Sequence, residues 1–344
     1  MRENVLAVFT LSVAVALTIA ACEPAMDPVD EGAVISDEAA PQFKQSTAEL
    51  LDPYAGPHEI DPVAVARITD MVDRFNARLH ERGVDARLDY PWFFMVGGGT
   101  DPWNRLRTGA RWPQSQVSYV LRDRYTADLP PAVTEATLVR AYDTWTDVRN
   151  TYIEAQRIAD PAPALNTDIL DGTFVGGQCV DVIDQAADNI ISYDPQTGDL
   201  VFVPIADIVV GGWLGLDYFV GCLGSPFIIG VTWSFSFGDA NKDNYVDQLY
   251  VEQYYNDFFN WVTSGAVFLG NDIDLETIAL HENGHTHGLG HFGGPLPNQK
   301  LLLRRNGRVY TPEAVMNPVY FGGEKRDPFP TDLAGLRALY GGPH

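Results

Sequence analysis

The sequence predicts an α+β domain. Two stretches, 62–82 and 131–148, repeat apolar residues at helical spacing. An apolar run at 117–121 reads as a strand, and so do short runs at 200–203 and 227–233, where glycine and proline are frequent over 150–230. A third helical stretch leads from Asp274 into a run of histidines. There is no internal repeat.

The first residues read as a targeting segment. Met1-Arg2 is a short basic start, and 5–20 is an apolar run too short to span a bilayer comfortably. It ends Leu17-Thr18-Ile19-Ala20-Ala21-Cys22, which resembles the bacterial lipobox. That resemblance implies cleavage before Cys22, lipidation of Cys22 and an exported protein anchored to the cell envelope. The other reading is an ordinary secretory signal with a chance cysteine and a secreted product. Residues 23–60 are rich in Pro, Ala, Asp and Glu, as a disordered tether is. The chain has three cysteines. In an oxidising compartment the two beyond Cys22, Cys179 and Cys222, read as a disulfide.

The helix over 62–82 has Asp61 as its cap, Pro62 in its first turn and Gly83 at its stop. Val65, Ile68, Val72, Phe75 and Leu79 form its apolar stripe. With strands around 86–96, the stretch 61–107 reads as a small N-terminal unit, either a pro-segment or a brace. The main domain is expected over 108–344. It begins with a strand at 117–121 and a helix opened by Pro130-Pro131, with Leu138, Ala141, Tyr142, Trp145 and Val148 on one face.

The net charge of −23 over 344 residues excludes a phosphate-backbone partner, which needs a basic face. It suits solubility outside the cell. The expected partners are a protein or peptide substrate and, through the lipid alone, a membrane; the chain is expected to be a monomer.

Four of the seven histidines fall in His281-Glu282-Asn283-Gly284-His285-Thr286-His287-Gly288-Leu289-Gly290-His291. Residues four apart share a helix face, so His281 and His285 can grip one ion. Gly288 can turn the chain sharply and bring His291 in from another direction. Three imidazoles leave a coordination position for water, the mark of a catalytic zinc site. Glu282 then stands as general base for that water. His287 faces away from the ligand pair and reads as a packed or supporting residue.

With this long motif the sequence resembles the metzincin clan of zinc proteases, and within it the matrixins. Ala314-Val315-Met316-Asn317-Pro318-Val319-Tyr320 is similar to the Met-turn and the pocket wall that follows it. The resemblance implies that Met316 packs beneath the zinc ligands and that Pro318 and Tyr320 wall the specificity pocket. The stretch 331–341 is similar to the matrixin C-terminal helix, which implies that Asp332 anchors the Met-turn. Arg111-Trp112 through Trp145 is a weaker match. Together these imply a twisted mixed sheet with a backing helix and an active-site helix, and hydrolysis of peptide bonds. The open sheet edge would then hold substrate as an added strand. Phe292 and His287 depart from the pattern. No cysteine lies between 22 and 179, so latency through a cysteine switch is unavailable. The segment 252–261 resembles the matrixin edge strand but lacks histidines for a second metal, so one zinc is expected.

Asp239, Asn241, Asp243 and Asp247 space oxygen ligands at alternate positions, as an EF-hand-like loop does. Asn244 stands where such loops carry glycine, and no glutamate closes the loop at Tyr250. A structural calcium site and a polar turn are both open readings.

Overall fold

The computed structural model describes residues 60–84, 86–96, 110–159, 206–239, 241–267, 270–291 and 314–341, with the backbone of short strand pieces between them. The leader with Cys22, the tether, Phe292 and most of the 292–313 loop lie outside the described residues. Among those described, no helix is long and apolar enough to cross a membrane.

In chain order the elements are α1 (Pro62–Glu81), β1 (Ala86–Leu88), β2 (Trp92–Val96), β3 (Ala110–Arg111), β4 (Gln116–Leu121), α2 (Pro131–Thr146) and β5 (Glu154–Arg157). Four short strands follow, β6 (Phe174–Val175), β7 (Gln178–Cys179), β8 (Ile191–Tyr193) and β9 (Leu200–Phe202), then β10 (Ile208–Leu214) and a π-helical turn, Tyr218–Cys222. The rest comprises β11 (Ile228–Phe237), β12 (Val246–Asn256), β13 (Asn260–Val262), β14 (Asp272–Asp274), α3 (Leu275–Thr286), β15 (Leu303–Arg305), β16 (Arg308–Tyr310), β17 (Val319–Tyr320) and α4 (Pro330–Tyr340).

The α+β expectation holds at this level. One mixed sheet runs β17-β2-β11-β12-β10-β4-β5, with β1 also on β11 and β3 on β12. β4, β5, β10 and β12 are parallel to one another in sequence of pairing, and β11 turns back antiparallel to β12. Both faces are covered. On one, Leu138, Ala141, Tyr142 and Trp145 of α2 pack with Ile278, Ala279 and Leu280 of α3 and Leu336, Leu339 and Tyr340 of α4. On the other, Ile68, Val72, Phe75 and Leu79 of α1 pack on Val209, Val231, Phe235 and Tyr254.

α1 starts as its sequence dictates: Asp61 Oδ1 accepts from the Val63 N–H at 2.9 Å, and Gly83 takes φ 74° at the stop. Ala64, rather than Val65, completes its fully buried stripe. β1 and β2, from the 61–107 unit, pair with β11 of the main sheet. One expectation is corrected: within the segment 252–261, residues 252–256 are not an edge strand but belong to β12, held between β10 and β11 by ladders on both sides.

Candidate metal centre

α3 is buried along its whole length. Asp274 caps it, accepting from the Thr277 N–H at 2.8 Å and from the Thr277 hydroxyl, and the Arg326 guanidinium pairs with the same carboxylate. At the other end the Thr286 carbonyl accepts from Trp112 Nε1 at 2.6 Å and Gln248 Nε2 at 2.9 Å. These bonds satisfy groups that a buried helix end would otherwise leave orphaned. Trp145 Nε1 donates to the Leu280 carbonyl at 2.8 Å, fixing α3 against α2. Gly288 then turns with φ 80° and lies so close to the Ala110 carbonyl that a Cβ would meet it at 2.3 Å. That turn delivers His291.

The three imidazoles come together as the spacing requires. His285 Nε2 lies 3.1 Å from His281 Nε2 and 3.2 Å from His291 Nε2. A tetrahedral ion with bonds of about 2.0–2.1 Å holds its nitrogens about 3.3 Å apart, so the spacing fits one. The tautomers agree. His281 Nδ1 bonds the Val315 carbonyl at 2.8 Å, and His285 Nδ1 bonds the Leu289 carbonyl at 2.7 Å. Each Nδ1 therefore carries the proton, and each Nε2 offers its lone pair inward. All three rings are 0–2 % exposed. Burial, and then the neighbouring His285, hold His281 well below its usual pKa, which keeps it neutral and able to ligate. Among the described residues this is the one group of three or more His, Cys, Asp or Glu side chains whose ligand atoms converge.

Glu282 is fully buried next to His281. Oε2 accepts a 2.5 Å bond from the Thr232 hydroxyl on β11, while Oε1 has no hydrogen-bond partner among the described residues. Burial pushes its carboxyl up to about 8, the Thr232 bond acting the other way. β11 can pass this close because residue 230 is glycine; a Cβ there would sit 2.4 Å from Oε1.

Met316 lies beneath α3, its sulfur against Gly284. The loop that carries it hangs from Asp332, which accepts from the Val315, Met316 and Phe329 N–H groups at 2.8, 3.2 and 2.9 Å. The Tyr320 hydroxyl accepts from the Asp274 N–H at 3.2 Å and donates to the Gly323 carbonyl at 3.0 Å. Pro318 offers its carbonyl to the Met95 N–H. His287 stays out of the cluster, with Nδ1 at 2.7 Å from the Asn283 carbonyl and its ring stacked over Trp145.

The acidic loop is arranged differently from the histidines. Asp239 caps the Asp243 and Asn244 amides, Asn241 also accepts from the Asp243 amide, and Asp243 accepts from that of Tyr245. Asn244 takes φ 72°, as the sixth position of such a loop requires. The other Asp243 oxygen is held at 2.5 Å by Arg111, a cation supplied by the chain itself. Asp239, Asp243 and Asp247 are not among the described His, Cys, Asp and Glu side chains whose ligand atoms converge. Cys222 is disulfide-bonded, and β7, which contains Cys179, packs against the π-helical turn that ends at Cys222. The side chain of Cys179 lies outside the described residues.

Three residues that sequence reasoning missed touch this centre. Thr232 holds Glu282. Phe94 stacks on His281 with ring centroids 3.7 Å apart and planes 5° apart. Trp92 stacks on His285 at 4.9 Å and meets His291 edge-on at 5.2 Å. No local signal marks them, because sheet register alone brings them there. Compared with known protein families and with characterised proteins, the chain finds no match.

Proposed function

We propose that this chain is a zinc endopeptidase of the metzincin kind, close to matrixins in its site. One observation carries the reading: three buried imidazoles converge, with His285 Nε2 at tetrahedral spacing from the Nε2 atoms of His281 and His291 and a buried glutamate next to His281. The sulfur of Met316 beneath α3, the Asp332 anchor and the antiparallel strand β11 beside the site support it.

A zinc ion held by His281, His285 and His291 would supply Lewis-acid polarisation of a scissile carbonyl and would acidify a water. Glu282 would accept a proton at Oε1, the oxygen left open by the Thr232 bond to Oε2, and give it up to the leaving amine. Thr232 fixes the carboxylate's direction. The carbonyls of Val315 and Leu289 fix two imidazole rings. Tyr320 and Pro318 would bound the pocket for the side chain beyond the scissile bond. The leader ending at Cys22 supports an exported protein held to the cell envelope by lipid.

The test is peptide or casein hydrolysis by the purified chain beside a zinc assay. We expect one zinc per chain and hydrolysis that stops with a chelator. Glu282→Ala should keep zinc and lose turnover, and His291→Ala should weaken zinc binding. Hydrolysis that survives both chelator and Glu282→Ala would sink the reading.

A further inference from the structure

We propose that β2 lies where a peptide substrate would lie, so that Trp92–Val96 is a built-in, substrate-like strand that holds the site closed. The inference rests on the peptidase reading for the word substrate and on geometry for the rest. A peptide that binds as an added strand needs a free sheet edge beside the reacting groups. The strand nearest Glu282 is β11, whose Thr232 bonds it. One edge of β11 pairs with β12, and the other pairs with β2, Trp92 opposite Thr232, Phe93 opposite Val231 and Phe94 opposite Gly230. The far edge of β2 is taken as well. Val319 and Tyr320 pair with Met95 and Val96, and the Met95 N–H donates to the Pro318 carbonyl at 3.2 Å. The segment thus sits between β11 and the loop just past Met316, antiparallel to one and parallel to the other.

Its side chains divide by the period of a strand. Phe93 and Met95 point to the α1 side of the sheet and pack in the core that Phe75 and Leu79 line. Trp92 and Phe94 point to the histidines and lie flat on His285 and His281. With those rings in place the three imidazoles are 0–2 % exposed, so no external carbonyl can reach the point where their Nε2 atoms converge. α1 meets the strand only through this core; its polar bonds go to the neighbours, Asn76 to Leu88 of β1 at 2.7 and 3.0 Å and Arg67 to the Cys222 carbonyl at 2.7 Å. The occupant also names the substrate class that displaces it: an extended segment with large aromatic or apolar side chains at alternate positions.

Two forms of the full chain test this. F93C/V231C puts paired cysteines on the face away from the histidines, so that oxidation fastens β2 to β11 and mild reduction frees it; the parent protein under the same reductant is the control. W92A/F94A removes the two rings and keeps the backbone. For each, three quantities are read: zinc content, the rate at which dipicolinate strips zinc, and cleavage of a mixed fluorogenic peptide library. We expect the oxidised lock to be silent and to lose zinc at least about tenfold more slowly than the reduced form. W92A/F94A should strip and cleave at least about tenfold faster than the parent. Equal stripping rates in the oxidised and reduced lock overturn the proposal, as does a lock that cleaves equally well in both states. A protein that binds zinc and strips as expected, yet cleaves no peptide in any form, upholds the covering strand and removes the peptidase reading instead. If W92A/F94A does not fold, the lock alone decides.

Discussion

Gly284 and Met316 meet so closely that a Cβ on residue 284 would lie 2.1 Å from the Met316 sulfur. A glycine in the middle of a buried helix costs helix stability, so the close approach is what it permits. Gly284→Ala should therefore push Met316 or α3 aside and destabilise the fold by ~1–3 kcal/mol, as overpacking does. Denaturant midpoints with and without metal will check this. An alanine variant as stable as the parent would mean that the turn yields freely.

Asp332 acts on the histidines through one residue. Val315 gives its N–H to Asp332 and its carbonyl to His281 Nδ1. Asp332→Asn leaves a carboxamide facing three N–H donors, one of which loses its acceptor. We expect a loss of ~1–3 kcal/mol in stability. Metal affinity should fall by about 10- to 100-fold, as for other groups that orient a ligand. Competitive chelator titration reads the second effect, and unchanged affinity would break the proposed link.

Burial holds His287 down at about 4. The unfolded chain binds a proton near 6.5 that the folded chain refuses until about 4, so stability falls as pH falls through that window. The loss is roughly 3 kcal/mol at the acid end. His287→Leu removes it, and the difference in unfolding free energy between variant and parent should grow as pH drops from 7 to 4.5. A pH-independent difference would contradict the buried neutral imidazole.

Glu282 behaves in the opposite sense in metal-free protein. Its folded pKa stands at about 8 against an ordinary 4.5. Between these values the unfolded chain has released a proton that the folded chain keeps, so stability declines as pH rises. Over the whole window the decline is of the order of 5 kcal/mol. Glu282→Gln should flatten this slope in chelator-treated protein, which thermal melts across pH 5–8 will reveal.

Thr232→Val keeps the shape of the β11 strand and removes the hydroxyl that directs Glu282. On the peptidase reading, kcat should fall by about tenfold or more with zinc content unchanged. An unaltered kcat would leave Thr232 without a role in positioning.

The helices and the histidine cluster were legible because their signals are local. Asp61, Pro62 and Gly83 mark α1 within its own sequence, and His281 and His285 share a face through helical spacing alone. Met316 and Asp332 could be read because their motif residues are contiguous. Other features depend on pairing across the sheet, which no short window records. The strands at 86–96 were expected, but not their place on β11; nothing in Trp92–Val96 indicates that its partners are Gly230 and Val319. For the same reason 252–256 looked like an edge and proved to be inside. The acidic loop was read for its oxygens, while the cation that meets Asp243 comes from Arg111, far away in sequence.

The pairing of Met95 with Val319 joins points separated by almost the whole described chain. Contacts of such separation form late, after long loops have closed. While the polypeptide is still being made, Trp92-Phe93-Phe94-Met95-Val96 has no second neighbour to cover it, and an uncharged, apolar strand with a bare edge invites association with other chains. Synthesis must reach the final segment before that hazard ends, so termination between residues 96 and 319 should yield aggregates rather than a smaller soluble protein.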